Sequence, residues 1–108
     1  MSNVIVWADI PVTDLARAMK FYEHVTGRPV TVMPGGENEV AVISGPEGEM
    51  VVSADLHVGG TPSHDGSTPY LNSGGDIQGM IARVPEAGGK VLQEPQNMGE
   101  MVGWIAFF

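Results

Sequence analysis

An internal repeat limits what this chain can fold into more than any other feature of its sequence. Moving 62 residues on from the stretch 7–27, Asp14 falls on Asp76, Leu15 on Ile77, Met19 on Ile81, Tyr22 on Val84, Gly27 on Gly89 and Arg28 on Lys90. A period of that size marks a repeated supersecondary unit, and one such unit cannot bury its apolar face alone. With 108 residues the chain has room for two copies in a single domain, 1–108, whose folding buries roughly two thirds of its unfolded surface.

In the first copy, Val4, Val6, Ile10 and Val12 alternate with Ile5, Trp7, Asp9 and Pro11, the period of a strand with two unlike faces. Thr13 suits a helix N-cap, Asp14 complements the positive helix start, and Leu15, Ala18, Met19, Tyr22 and Val25 recur at helical spacing. Gly27 and Pro29 stop that helix. Three short strands are expected next, at 30–33, 39–44 and 49–55, separated by the turn sequences 34–36 and 45–48. Module one, 1–56, thus reads β-α-β-β-β, and the polar, Gly- and Pro-rich stretch 57–67 is expected to be a linker.

Module two, 68–108, is expected to open with a strand at 68–73 and a helix from Asp76 to Gly88-Gly89. Ile77, Met80, Ile81, Val84 and Ala87 form the helix's apolar stripe, and Pro85 removes one intrahelical hydrogen bond and weakens the last turn. Strands at 90–93 and 101–107 follow, around a turn at 97–100. The repeat places the counterpart of 49–55 at 111–117, past Phe108, so module two is expected to lack its last strand. Either the sequence is a piece of a longer chain, or its apolar run 104–108 is an edge open to strand swapping or edge pairing with a partner.

Thirteen acidic residues against five basic ones give a net charge of −8, which opposes phosphate backbones and anionic lipid surfaces. Nucleic acid and membrane are therefore not expected as partners. The absence of Cys removes disulfides and thiolate zinc sites, and the start Met1-Ser2-Asn3 lacks the basic and apolar segments of a secretion signal. No apolar run approaches the roughly 20 residues that span a bilayer. A cytoplasmic protein is the simplest expectation.

Two tandem β-α-β-β-β units, with IPVTDLARAMKFYEHVTG opening the first and DIQGMIARVPEAGGKVLQEP in the second, resemble the vicinal oxygen chelate superfamily of glyoxalases, bleomycin-resistance proteins and extradiol dioxygenases. The segments YLNSGGDI, AGGKVLQEP and GWIAFF are similar to those of small bacterial glyoxalase-like proteins. The resemblance implies an α+β fold whose strands curl into an open, cup-like sheet with helices outside, and a homodimer. It also implies a divalent metal held by up to four ligands from the first and last strand of each unit. In that pattern the first ligand stands five residues before the Val that precedes x-Asp, which here is Trp7, before Val12 and Asp14. The others fall at Thr68, near Val52, and beyond Phe108. The indole nitrogen only donates, and a neutral hydroxyl is a poor replacement for imidazole. No metal at the usual place and no cofactor are expected.

The parity that turns Val6, Ile10 and Val12 toward the helix turns Trp7 and Asp9 into the cup, and the same count turns Thr68, Tyr70 and Asn72 inward while Pro69 and Leu71 face the helix. Trp7, Asp9, Thr68, Tyr70 and Asn72 are the candidate ligand-binding residues, since aromatic walls with a few polar groups suit a flat or amphipathic small molecule. Trp7 has a plainer role available as packing. A desolvated Asp9 would have a raised pKa and could act as a base.

His57 and His64, near Asp55 and Asp65, are the only group resembling a metal set. On a linker their spacing converges on no strand or helix geometry, so they are expected to be solvated. His24, late in the first helix, complements the helix C-terminus and is expected to be structural. Neither Gly pair has phosphate-loop spacing, and no Ser-His-acid set can be picked out. The expected function is a small-molecule binding protein of the glyoxalase and bleomycin-resistance type, without metal in the usual site and with a neutral or cationic ligand. Whether it is an enzyme stays open. The alternatives are a metal-dependent lyase, isomerase or dioxygenase of the same superfamily, and an interaction module that pairs through its C-terminal strand.

Overall fold

The computed structural model describes residues 5–33, 40–45, 53–63 and 65–108. Among them run β1 (Trp7–Val12), α1 (Leu15–Thr26), β2 (Val30–Met33), β3 (Val40–Ile43), β4 (Ser53–Val58), α2 (Ile77–Glu86), β5 (Gln93–Asn97) and β6 (Trp104–Phe107). The expected turn at 34–36, most of the turn at 45–48, the ligand place near Val52 and His64 lie outside the described residues.

The repeat is most visible where the helices begin. Asp14 accepts the backbone N–H of Arg17 at 3.1 Å, and Asp76 accepts that of Gly79 at 2.9 Å. Asp14, rather than Thr13, is therefore the N-cap, because its extended backbone leaves the carboxylate within reach of the third helical N–H. At the other end of α2, Pro85 has no N–H to return to the preceding turn, and the chain closes at once. The N–H of Gly88 reaches the carbonyl of Pro85 at 3.1 Å and that of Gly89 reaches Val84 at 2.9 Å, a paired closure that satisfies the last carbonyls.

The main sheet has strand order β1-β4-β3-β2. β1 and β4 run parallel, which the intervening α1, β2 and β3 make possible, and β3 is antiparallel to both of its neighbours. β4 continues to Val58, so His57 and Val58 belong to a sheet strand and not to the expected linker. β5 and β6 form a separate antiparallel pair, with a register shift between Gln93 and Gln96. Their connection spans 98–103, where Met98 donates to the Gly103 carbonyl at 2.8 Å, so both strands begin later than their apolar pattern suggests. Among the described residues the expected strand at 68–73 has no ladder. In the first unit the matching strand, β1, is held by β4. The fold is nonetheless the expected α+β arrangement, with a four-stranded sheet, a two-stranded sheet and two helices.

Leu56, Ala41, Ile43 and Val12 pack against Leu15 and Ala18 of α1 in one core. Met80, Ile81 and Val84 of α2 form a second, which is completed by Val25 and Phe21 from α1. Gly89 lies against Phe21 so closely that a Cβ there would sit 2.5 Å from a ring carbon. Arg83 donates through Nε and Nη2 to the Val25 carbonyl at 3.2 Å each, and His24 Nε2 meets Glu86 Oε1 at 3.0 Å. His24 and Glu86 stand 62 residues apart, at matching places in the repeat, so the two helices meet through equivalent positions. Leu56→Ala, at a fully buried position, is expected to cost about 2–5 kcal/mol and Asp76→Ala about 1 kcal/mol, both read from urea denaturation midpoints.

Candidate functional site

The parallel pairing of β1 and β4 sets Trp7 opposite Ser53, Asp9 opposite Asp55 and Pro11 opposite His57. Successive strand residues point to opposite faces. Ala54 and Leu56 are buried on the helix side, which leaves Asp55 and His57 on the cup face beside Trp7 and Asp9. The indole N–H of Trp7 donates to Asp55 Oδ2 at 3.3 Å. The other carboxylate oxygen, Oδ1, lies 3.7 Å from His57 Nδ1. Asp9, Asp55 and His57 each offer a ligand atom, and these atoms lie within 4.8 Å of one another.

Asp9 is exposed, whereas Asp55 and His57 are partly buried. The Asp55 side chain is 16% exposed, and both its Oδ1 and His57 Nδ1 are buried with no hydrogen-bond partner among the described residues. Burial pushes the Asp55 carboxyl above its ordinary value; the Trp7 N–H opposes that rise, the neighbouring Asp9 carboxyl reinforces it, and His57 opposes it more weakly. Behind His57 the chain turns at Gly59 and bridges back to Val58 through Gly60. A Cβ on Gly60 would lie 2.9 Å from Pro11 Cβ, so glycine is what lets this loop seat against Pro11.

Beside the cluster opens a cleft of about 1130 Å³ between the main sheet and the second unit. Asp9, Thr68 and Tyr70 line it, with Tyr22, Trp104 and Phe107 as further aromatic walls. Of the five residues singled out in the sequence, the structure brings these three together. Trp7 stands 40% exposed on the cup face and is engaged with Asp55 instead. Asn72 is not on the cleft wall: its Oδ1 accepts the Gly74 N–H at 2.7 Å and shapes the turn into α2. From the sequence, Asp55 and His57 fall in a metal-like group with His64 and Asp65 on a solvated linker; the structure instead puts them on β4 beside Asp9. The signal was present, since Ser53, Asp55 and His57 alternate with Ala54 and Leu56 as Trp7 and Asp9 alternate with Ala8 and Ile10.

The family model described as Glyoxalase/Bleomycin resistance protein/Dioxygenase superfamily matches residues 4–108. The chain belongs to this superfamily. A glyoxylase/bleomycin resistance protein/dioxygenase domain from Frankia sp. EAN1pec is 21% identical with a TM-score of 0.63, over 98% of this chain and 82% of the other. A hypothetical protein from S. aureus is 19% identical with a TM-score of 0.62, over 98% and 85%. The fosfomycin resistance protein FosX from Listeria monocytogenes, solved with Mn(II) and sulfate, is 10% identical with a TM-score of 0.56, over 89% and 80%. These structures share the fold. No curated protein matches the sequence.

The metal site that the superfamily resemblance implies does not fit the residues in the usual places. The ring nitrogen of Trp7 carries a hydrogen and spends it on Asp55, and Thr68 is exposed in a segment without a ladder.

The raised Asp55 pKa gives a signed prediction. Above its ordinary value of 3.8, the unfolded chain has lost a proton that the folded protein still holds. The stability from this carboxyl is complete below pH 3.8 and is lost as pH rises through the raised folded-state value. In metal-free protein, Asp55→Asn keeps an acceptor for Trp7 and is expected to flatten that decline, measured as urea midpoints from about pH 3 to pH 8.

Proposed function

We propose that this protein holds a neutral or cationic small molecule in the cleft between its two units, as a binding protein of the glyoxalase and bleomycin-resistance type. The cleft carries the proposal. At about 1130 Å³ it is roomy enough for a drug-sized molecule, and its walls are largely apolar and aromatic with Asp9 as the one carboxylate. Tyr70 and Phe107 meet edge-on with centroids 5.8 Å apart, a wall against which a flat ring can stack. The net charge of −8 draws cations toward the molecule and repels anions. The fosfomycin resistance protein among the structural neighbours supports a small-molecule role at the level of class.

The proposal includes a homodimer. Met101 is 98% exposed and Val102 and Trp104 are more than half exposed on the β5–β6 hairpin, and β6 has a free edge among the described residues. An apolar edge of that kind favours pairing with a second copy. A cytoplasmic location is consistent with the Cys-free sequence, and no helix among the described residues is long and apolar enough to cross a membrane. A metal-dependent lyase, isomerase or dioxygenase working through the usual ligand places has no support from Trp7 or Thr68.

The ligand reading is tested by titrating tryptophan fluorescence with acridine orange, a flat aromatic cation, and separately with an anionic naphthalene sulfonate. Saturable binding of the cation alone is expected. Tyr70→Ala should weaken it roughly threefold to thirtyfold, the worth of a cation–aromatic contact, and Asp9→Asn should weaken it as well. Affinity unchanged in both variants would sink the proposal. Sedimentation velocity is expected to show a dimer.

A further inference from the structure

Two carboxylates and an imidazole on one patch of sheet need a reason to be there. Asp9 and Asp55 lie directly opposite each other in parallel register, so two like charges meet at the spacing of hydrogen-bonded strands. Nothing in the pairing of β1 with β4 requires them, and β-branched residues would suit the same positions better. The penalty is compounded because Asp55 Oδ1 and His57 Nδ1 are both buried without a partner among the described residues. Each such atom is costly when left unsatisfied. The two orphaned atoms face each other across 3.7 Å, too far for a hydrogen bond and suited to an atom held between them.

A divalent cation removes every one of these penalties at once. It screens the carboxylates from each other, and it accepts the lone pairs of Oδ1 and Nδ1. An ion with bonds of about 2.0–2.2 Å holds its ligand atoms roughly 3–4.4 Å apart. The atoms offered here lie within 4.8 Å of one another, so small side-chain rotations close the set. We propose that Asp9, Asp55 and His57 bind a divalent first-row metal ion on the cup face.

The donor set selects among ions. Two carboxylate oxygens and one imidazole, with no thiolate, suit Mn(II), Fe(II) or Zn(II) rather than Cu(I) or Ca(II). Three protein ligands leave coordination positions for water or a bound molecule, and Asp9 places them at the cleft. The site is not the one usual to the superfamily. On β1 it lies two residues further along than Trp7, roughly 6–7 Å away along the strand. Trp7 has a different part in it: its N–H holds Asp55 Oδ2 and so turns Oδ1 toward His57. The competing explanation is that Asp9 and Asp55 share a proton and bind no ion. The proposal does not depend on a small molecule occupying the cleft.

The test uses full-length protein stripped with EDTA and titrated with Mn(II) at about 0.15 M salt, where surface charge is screened. Free Mn(II) is read by electron paramagnetic resonance and bound ion by water-proton relaxation. One saturable ion per chain is expected, with a rise in thermal midpoint. Asp55→Asn and His57→Gln should each weaken binding by roughly tenfold or more, and Asp65→Asn, an exposed carboxylate away from the cluster, should leave it unchanged. Far-UV circular dichroism checks that each variant is folded. If Asp55→Asn fails to fold, His57→Gln at a strand position still decides. No saturable binding tighter than about 1 mM, or equal binding in the native protein and the folded variants, would overturn the proposal. Loss of acridine orange binding with Mn(II) binding intact would count against the ligand reading alone.

Discussion

The contact between α1 and α2 is the interaction on which the rest of the structure depends. The second unit consists of one helix and a two-stranded hairpin, and a lone hairpin is at best marginally stable in water. Its core closes only because α1 lends it Val25 and Phe21, while Leu15 and Ala18 on the same helix serve the first core. One amphipathic helix with two apolar edges thus ties two sheets into one body. Arg83 on the Val25 carbonyl and His24 against Glu86 set the angle at which they meet.

That packing places the cleft. With α1 and α2 held together, the β1 edge of the main sheet, at Asp9, Ile10 and Pro11, lies across from the segment 68–71 and the β5–β6 hairpin, and the space between them is lined from both units. The parallel register of β1 and β4 does a second job independent of the helices. It sets Asp9 against Asp55 and leaves the cup-face pair Asp55 and His57 next to Trp7, at the rim of the same cleft.

Much of this was legible in the chain. The helix starts at Asp14 and Asp76, the apolar stripes, and the parity that turns Asp9 away from the core are local patterns, and local patterns survive folding. The stretch 68–73 has the alternation of a strand, with Leu71 packed toward α2 as parity requires, yet forms no ladder, because alternation describes faces and says nothing of a hydrogen-bonding partner. His57 was misplaced for the opposite reason: Gly59-Gly60 and the polar residues after them look like a linker, while the sheet carries the chain two residues further than its composition suggests. Asn72 looked like a cleft wall by parity, but its amide satisfies a turn N–H first, a use that short polar side chains before a helix often find.

By itself the sequence determined the two units, their helices, and which residues of each strand share a face, since each follows from spacing over a few residues. Only the tertiary structure decided that Asp9, Asp55 and His57 occupy one patch beside an aromatic cleft. The register between two parallel strands depends on the lengths and packing of α1, β2 and β3 between them, and that is a property of the folded chain as a whole.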